Sequence, residues 1–377
     1  MSISSVTSPG APVGRGLVDA FTARYGRAPE AVWRAPGRVN LIGDHTDYAG
    51  GLALPFAIDR AVLVAGAARD DDALVGWSVQ RPGDDAWLVY AEGVRRAATR
   101  RGLLPADGRG ADLLVDSDLP VGAGLSSSAA LTVAVAGVLL QLAGREAGPE
   151  ETAALCQEAE NVTVGVPTGL LDQTAVLQSR TGHVLAVDFR HTPPTVDPIP
   201  CPLNGLQLLA VDTRVAHEVA DGTYAERRRA VEAAATELGV QNLRDAEPAA
   251  VAALPPALRR RAQHVVTENE RVTAVVALLR GGRTAEIGPL LTASHASLRD
   301  DFEVSCPELD LAVDAALRAG ALGARMTGAG FGGTVVVLVR EDEASRVIAA
   351  VEAAFDDASM PSRTTRVEPG EGARALR

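Results

Sequence analysis

The sequence predicts an α+β fold in two halves. Helical and strand-like segments alternate along the chain without the regular βαβ repeat of a barrel. A proline-rich stretch, Thr192 to Pro202, reads as the crossing between the halves. At 377 residues, 47% of them hydrophobic and 22% charged, the chain is long enough for two or three domains with a sizeable core.

Leu17, Phe21 and Tyr25 fall at i, i+4 and i+8, which predicts a first helix stopped by Gly26. A short strand, Ala31 to Ala35, leads into a polar, glycine-punctuated segment from Pro36 to Gly51. Strands are predicted at 61–67, 74–79, 86–91 and 111–116. A buried helix at 126–143, a second helix at 150–163 and a strand at 183–188 complete the first half. The second half holds strand 206–211 and helices at 225–238, 257–280 and 284–296. A further helix, from about 306 to 319, is opened by a capping box at Ser305 and Glu308 and closed by Gly320. Strand 334–339 and helix 342–355 follow.

Charge narrows the function. A net charge of −12 repels phosphate backbones and anionic membrane surfaces, so neither nucleic acid nor a membrane is an expected partner. The arginine runs at 227–229 and 259–261 are short and read as solvated helix faces. Cys156, Cys201 and Cys306 are far apart and form no CxxC pair, which fits a reducing compartment better than a zinc or redox site. Met1 to Gly16 lacks the apolar core of a signal peptide, and the stretch Leu131 to Leu142 is too short to span a bilayer. A cytoplasmic protein is expected. The chain has no lysine: all 36 of its Lys+Arg residues are arginine. That excludes a Walker A loop, a protein-kinase lysine and a lysine Schiff base, so any phosphoryl transfer needs another cradle.

Four segments carry candidate chemistry. In the first, Gly122, Ala123, Gly124, Leu125, Ser126, Ser127 and Ser128 lie between a predicted strand and a predicted helix. Glycines permit close backbone approach, and serines at a helix N-terminus add hydroxyls to orphan N–H groups and the positive dipole end. This is an anion site by construction; the plainer reading is a capped helix after a turn. The second, Arg38 to Tyr48, places Arg38, Asp44, His45 and Asp47 within ten residues. That mix of donors and acceptors suits a polyol, or a surface turn with local ion pairs. The third is Gly169 to Gln173, where Asp172 reads as a helix cap or a base, with Glu160 and Asn161 nearby. The fourth, Met326 to Gly333, contains G-x-G-x-x-G, but a strand follows it where a dinucleotide loop requires a helix. It reads as a tight loop brought against a ligand or another loop.

Together these segments resemble the GHMP kinases, and within them the galactokinases, from about Phe21 to Val339. Gly37-Arg38-Val39-Asn40-Leu41-Ile42-Gly43-Asp44-His45-Thr46-Asp47-Tyr48 is similar to the galactokinase signature. The loop 120–130 resembles the family's phosphate loop, and 327–333 its third glycine motif. Val265 to Arg271 and His295 to Asp301 are further matches.

The resemblance implies a two-lobed α+β protein with its active site in the cleft between lobes, divided here as 1–190 and 191–377. It implies phosphorylation of the anomeric hydroxyl of galactose by ATP with Mg2+, in a monomer. Arg38 and Asp172 match the catalytic pair, and Asp44, His45, Asp47, Gly169, Asp172 and Tyr224 match sugar-holding positions. Ser128 and Glu160 match metal ligands, Gly122 to Ser128 the triphosphate loop, and Trp87 an aromatic near adenine, with a core tryptophan as the alternative reading. Asp44 stands where galactokinases usually carry Glu, which draws the carboxylate back by one methylene and leaves room for an amino sugar or arabinose. A non-catalytic galactose sensor is the reading from another class; the presence of Ser128, Glu160 and Asp172 weighs against it.

Overall fold

The structure is a computed structural model, described over residues 16–106, 108–165, 168–215 and 222–377. The reading of the first residues as lacking a signal peptide concerns a segment that, but for Gly16, lies outside those described. The first part of the chain contains α1 (Leu17–Tyr25), β1 (Ala31–Asn40), β2 (Leu52–Ala53), β3 (Pro55–Ala68) and β4 (Leu74–Ser78). After these come α2 (Leu88–Arg100), β5 (Ala111–Ser117), α3 (Ser127–Leu142), α4 (Pro149–Glu158) and α5 (Leu171–Gln178), then β6 (His183–Asp188) and β7 (Thr195–Pro200). The second part contains β8 (Leu206–Asp212), α6 (Thr223–Leu238), α7 (Pro248–Ala253), α8 (Pro256–Arg280) and α9 (Gly288–Ser297). It continues with α10 (Pro307–Arg318), β9 (Gly323–Thr327), β10 (Thr334–Arg340), α11 (Ala344–Asp357), β11 (Arg363–Val367) and β12 (Arg374–Ala375).

The strands form three sheets, ordered β12-β1-β3-β5-β4, β11-β8-β10-β9 and β2-β6-β7. Helix α3 is the hub of the first part. It is apolar on every side and lies against β1 and β3. Gly137 lets the Trp33 ring sit flat on it, since a Cβ there would lie 2.2 Å from the indole. The opposite end of the same helix opens on the site.

A second device aims a catalytic candidate. Strand β1 runs five residues beyond the predicted Ala35, with a register shift between Pro36 and Arg38 against β3. Proline has no N–H to give a ladder, and the irregularity bends the strand locally. The Arg38 amide then bonds to Leu125 O of the serine-rich loop at 3.2 Å.

Several expectations are corrected. Residues 86–91 form no strand: Trp87 precedes α2, whose buried face is Ala91, Val94, Ala97 and Ala98. The apolar run there has helical periodicity only when read together with the residues that follow. The proline-rich stretch holds β7, which pairs antiparallel with β6. The division at 190 is therefore crossed by strand pairing, and β12, near the C-terminus, returns to pair with β1. Cys306, not Ser305, is the N-cap of α10, and the Ser305 hydroxyl donates to Asp310 Oδ1 at 2.6 Å instead of forming a capping box. The 328–333 loop joins β9 to β10, two antiparallel neighbours, as rejection of the dinucleotide reading requires.

Candidate active site

Three loops remote in sequence meet in one cleft of about 620 Å³. One wall is the segment after β1, a second is the loop before α3, and the third is the β9–β10 loop. Arg38, Asp44, His45, Asp47, Glu160, Gly169, Asp172 and Tyr224 all line it, together with Gly122 and Gly124 to Ser128. Two expected site residues do not. Ala123 is buried behind its loop, where its carbonyl accepts from the Thr334 hydroxyl at 2.6 Å. Trp87 packs over Gly76, where a Cβ would lie 2.5 Å from the indole, and Tyr90, three residues later on α2, is the aromatic that reaches the cleft.

The loop before α3 turns through left-handed backbone at Gly122, Gly124 and Ser126. Ser126 is the N-cap of α3, but its hydroxyl caps nothing; it is buried and has no partner among the described residues. A buried hydroxyl at a helix start leaves an unmet demand that an anionic ligand satisfies. The β9–β10 loop braces this one at close range: a Cβ on Gly328 would come within 3.2 Å of Gly124 O, and one on Gly333 within 3.2 Å of Ala123 O.

Arg38 ties the loop to the carboxylate. Its Nε donates to Asp172 Oδ1 at 2.8 Å, Nη2 approaches the same oxygen at 2.6 Å, and Nη1 donates to Gly124 O at 2.5 Å. One planar fork thus fixes the first turn of α5 relative to the phosphate-binding candidate. Asp172 keeps 27% of its side chain accessible, while Arg38 is buried.

Glu160 sits on a π-helical turn, Ala159–Val164, that continues α4. Such turns expand a helix by one residue and cluster at functional sites. Gln173 donates to Glu160 Oε1 at 2.9 Å, and Thr132 and Ser128 also bond to this carboxyl. Burial, and then the charge of Asp172, push its pKa up to about 7. A buried carboxyl with a raised pKa beside the Ser128 hydroxyl, with a second carboxyl nearby, fits a divalent cation. Among the described residues no group of three or more His, Cys, Asp or Glu could hold a metal, so such an ion would need further oxygens from a ligand.

The polyol wall is built more tightly than its sequence suggests. His45 Nε2 lies 3.2 Å from Ala329 O, which can only accept, so Nε2 carries the proton and the Tyr48 hydroxyl donates to Nδ1 at 2.9 Å. Burial draws this imidazole down to about 4, and its ring packs between Phe302 and Tyr224. Asp47 rises to about 6, chiefly by burial. Its carboxylate lies directly over Gly169, where a Cβ would fall 1.7 Å from Oδ2. Asp44 accepts from the Gly328 amide at 3.1 Å and pairs with Arg325 at 2.6 Å.

Sequence reasoning passed over Arg325 and Glu268 as working groups. Arg325 is wholly buried and donates to the carbonyls of Asn40 and Leu41, each at 3.2 Å. Glu268 on α8, also wholly buried, lies 3.8 Å from Arg325 and accepts from the Gly43 amide and the Ser294 hydroxyl. A lone arginine in the apolar run Leu322 to Met326 was the available signal. Tyr90 was missed because its segment was read as a strand.

Comparison with known proteins agrees with this geometry. A model described as the galactokinase galactose-binding signature matches residues 19–68, the GHMP kinases N terminal domain matches 90–180, and the GHMP kinases C terminal domain matches 274–357. The galactokinase of Streptomyces coelicolor is 45% identical, covering 94% of this chain and 97% of its own length. The galactokinase of Chloroflexus aurantiacus is 41% identical over 89% and 90%. The crystal structure of Lactococcus lactis galactokinase complexed with galactose superposes with a TM-score of 0.89 at 30% identity, covering 96% of this chain and 99% of that one. A mevalonate kinase, at 18% identity and TM-score 0.64, shares the fold alone. The two-lobed α+β architecture is thus the GHMP kinase fold, and the protein belongs to the galactokinase family.

Proposed function

We propose that the protein transfers the γ-phosphoryl group of ATP to the anomeric hydroxyl of galactose, giving galactose 1-phosphate. The observation that carries this reading is the Arg38 fork, which joins Asp172 to the loop before α3. A sugar hydroxyl positioned by Asp172 is thereby brought beside a phosphate lying on that loop.

Asp44, Asp47, Gly169 and Tyr224 line the sugar end of the cleft, and His45 supports them through Tyr48 and the Ala329 carbonyl. Backbone N–H groups of Gly122 to Ser128, with the dipole of α3, hold the triphosphate. Tyr90, which lines the cleft from α2, is the aromatic available to the nucleotide. Asp172 orients the anomeric hydroxyl and accepts its proton, while Arg38 offsets the charge that develops in transfer. In a loose phosphoryl-transfer transition state alignment outweighs basicity, so positioning is the larger part of what Asp172 does. Ser128 and Glu160 would hold Mg2+, which would supply neutralisation of phosphate charge when bound. Three free cysteines among the described residues suit the cytoplasm.

The test is phosphorylation of galactose, galactosamine and arabinose by ATP, with and without Mg2+. Galactose should give the highest kcat/KM, and activity should vanish on chelation. A different preferred sugar, or undiminished turnover without a divalent cation, contradicts the reading.

Two narrower outcomes follow from the sugar wall. Gly169→Ala forces the Asp47 carboxylate aside, and should raise the KM for galactose at least about tenfold, the loss of one good hydrogen bond. The KM for ATP should stay within about threefold; an unchanged galactose KM would count against Asp47. Because Asp47 is protonated below about 6, it loses its carboxylate acceptor there. The galactose KM should therefore climb as pH falls through that value, and Asp47→Asn should flatten this limb of the profile.

A further inference from the structure

A second concavity, of about 660 Å³, shares no lining residue with the cleft. It lies between α2, the C-terminal end of α3 and the segment leading into β5. Its apolar lining includes Leu104, Leu139 and Leu142. Among the described residues, five arginines, Arg95, Arg96, Arg100, Arg109 and Arg145, line it against a single carboxylate, Glu30. In a chain of net charge −12 this is a local reversal of sign.

The five guanidinium groups are not equally engaged. Glu92 holds both Arg95 and Arg96 at 2.8 Å, and Glu158 holds Arg100 at 2.8 Å. Among the described residues Arg109 reaches only Asp70, at 3.9 Å, and that carboxylate is fully exposed. Arg145 has no ion pair among the described residues. An exposed pair at such a distance contributes little, so two guanidinium groups stand uncommitted above an apolar surface. Guanidinium forks match phosphate oxygens, and low-dielectric walls concentrate the field between them.

We propose that this groove binds a phosphorylated small molecule, with its phosphate between Arg109 and Arg145 and its apolar portion on Leu104, Leu139 and Leu142. The three arginines held by Glu92 and Glu158 form a fixed positive wall behind the phosphate. A purely apolar ligand would leave both free guanidinium groups unused, and a bare phosphate would leave the apolar lining uncovered.

Calorimetric titration with inorganic pyrophosphate tests the phosphate part, with the nucleotide site of the cleft saturated by ADP. The wild-type protein should take up one equivalent saturably. Arg109→Glu/Arg145→Glu should weaken this binding at least about fivefold by placing like charges on the ligand. Arg109→Lys/Arg145→Lys keeps the charge and should retain it, which separates local charge from misfolding. Galactose phosphorylation without pyrophosphate should be equal in all three proteins, so loss of kinase activity and loss of this site are read independently. No saturable binding in the wild type, or a change of less than fivefold in the Glu variant, overturns the proposal. Competition by AMP and by a hexose 1-phosphate then distinguishes a nucleotide from a sugar phosphate as the source of the group.

Discussion

Replacing Asp172 by asparagine is expected to lower kcat for galactose by about 10²–10⁴-fold, the range typical of a lost general base. The substitution keeps the shape and one acceptor oxygen. It removes the carboxylate that Arg38 grips through Nε and Nη2. Two consequences add: the hydroxyl loses its proton acceptor, and the fork that aligned α5 with the loop before α3 loses its counter-ion. ATP should still bind within about threefold of wild type, because the loop glycines, Ser126 and the α3 dipole are untouched. Steady-state kinetics with a separate nucleotide-binding measurement check both halves. A fall in kcat of less than about tenfold would remove Asp172 from the chemistry.

The second large effect is on stability. Arg325→Met should destabilise the fold by about 3–5 kcal/mol, the usual consequence of removing one partner from a buried ion pair. Asp44 would remain buried without its guanidinium, Glu268 would keep only its pair with Arg271 at 2.7 Å, and the carbonyls of Asn40 and Leu41 would each lose a donor. Asn40, Leu41 and Asp44 belong to the sugar-binding segment and Glu268 to α8, so the loss loosens the junction of that segment, α8 and β9 together. Arg325→Lys retains charge without the fork and should fall between wild type and Met. Urea denaturation measures both variants. A change below about 1 kcal/mol for Arg325→Met would mean that Asp44 and Glu268 are stabilised by other means.

Much of the site was legible because its chemistry is local in sequence. Arg38 to Tyr48 and Gly122 to Ser128 each carry their meaning within a dozen residues, and both lie on the cleft. What brings them together is not local. The bulge at Pro36/Arg38, the bracing of Gly124 by Gly328 and the Arg325–Asp44 pair join residues as much as 281 positions apart. No periodicity announces such contacts. Helix α3 was read within a residue or so of its ends because a long apolar stretch bounded by serines has few alternatives.

The failures have equally specific causes. Ala86 to Ala91 is a short apolar run, and over six residues the strand and helix periods cannot be separated. Its helical face appears only with Val94, Ala97 and Ala98. Thr192 to Pro202 was read as a crossing because proline is poor in strands, yet β7 pairs only with β6 and tolerates Pro198 and Pro200 at the sheet edge. Trp87 had two readings, an aromatic near adenine or a core tryptophan, and its ring lies on the open face of Gly76.

The most direct test of a cleft in which Asp172, Arg38 and the serine-rich loop act on one sugar is the position of the transferred phosphate. Phosphorus NMR of the product formed from galactose, ATP and Mg2+ should show a single phosphomonoester coupled to the anomeric proton. A phosphate on any other hydroxyl, or ATP hydrolysis with no sugar phosphate, would contradict it.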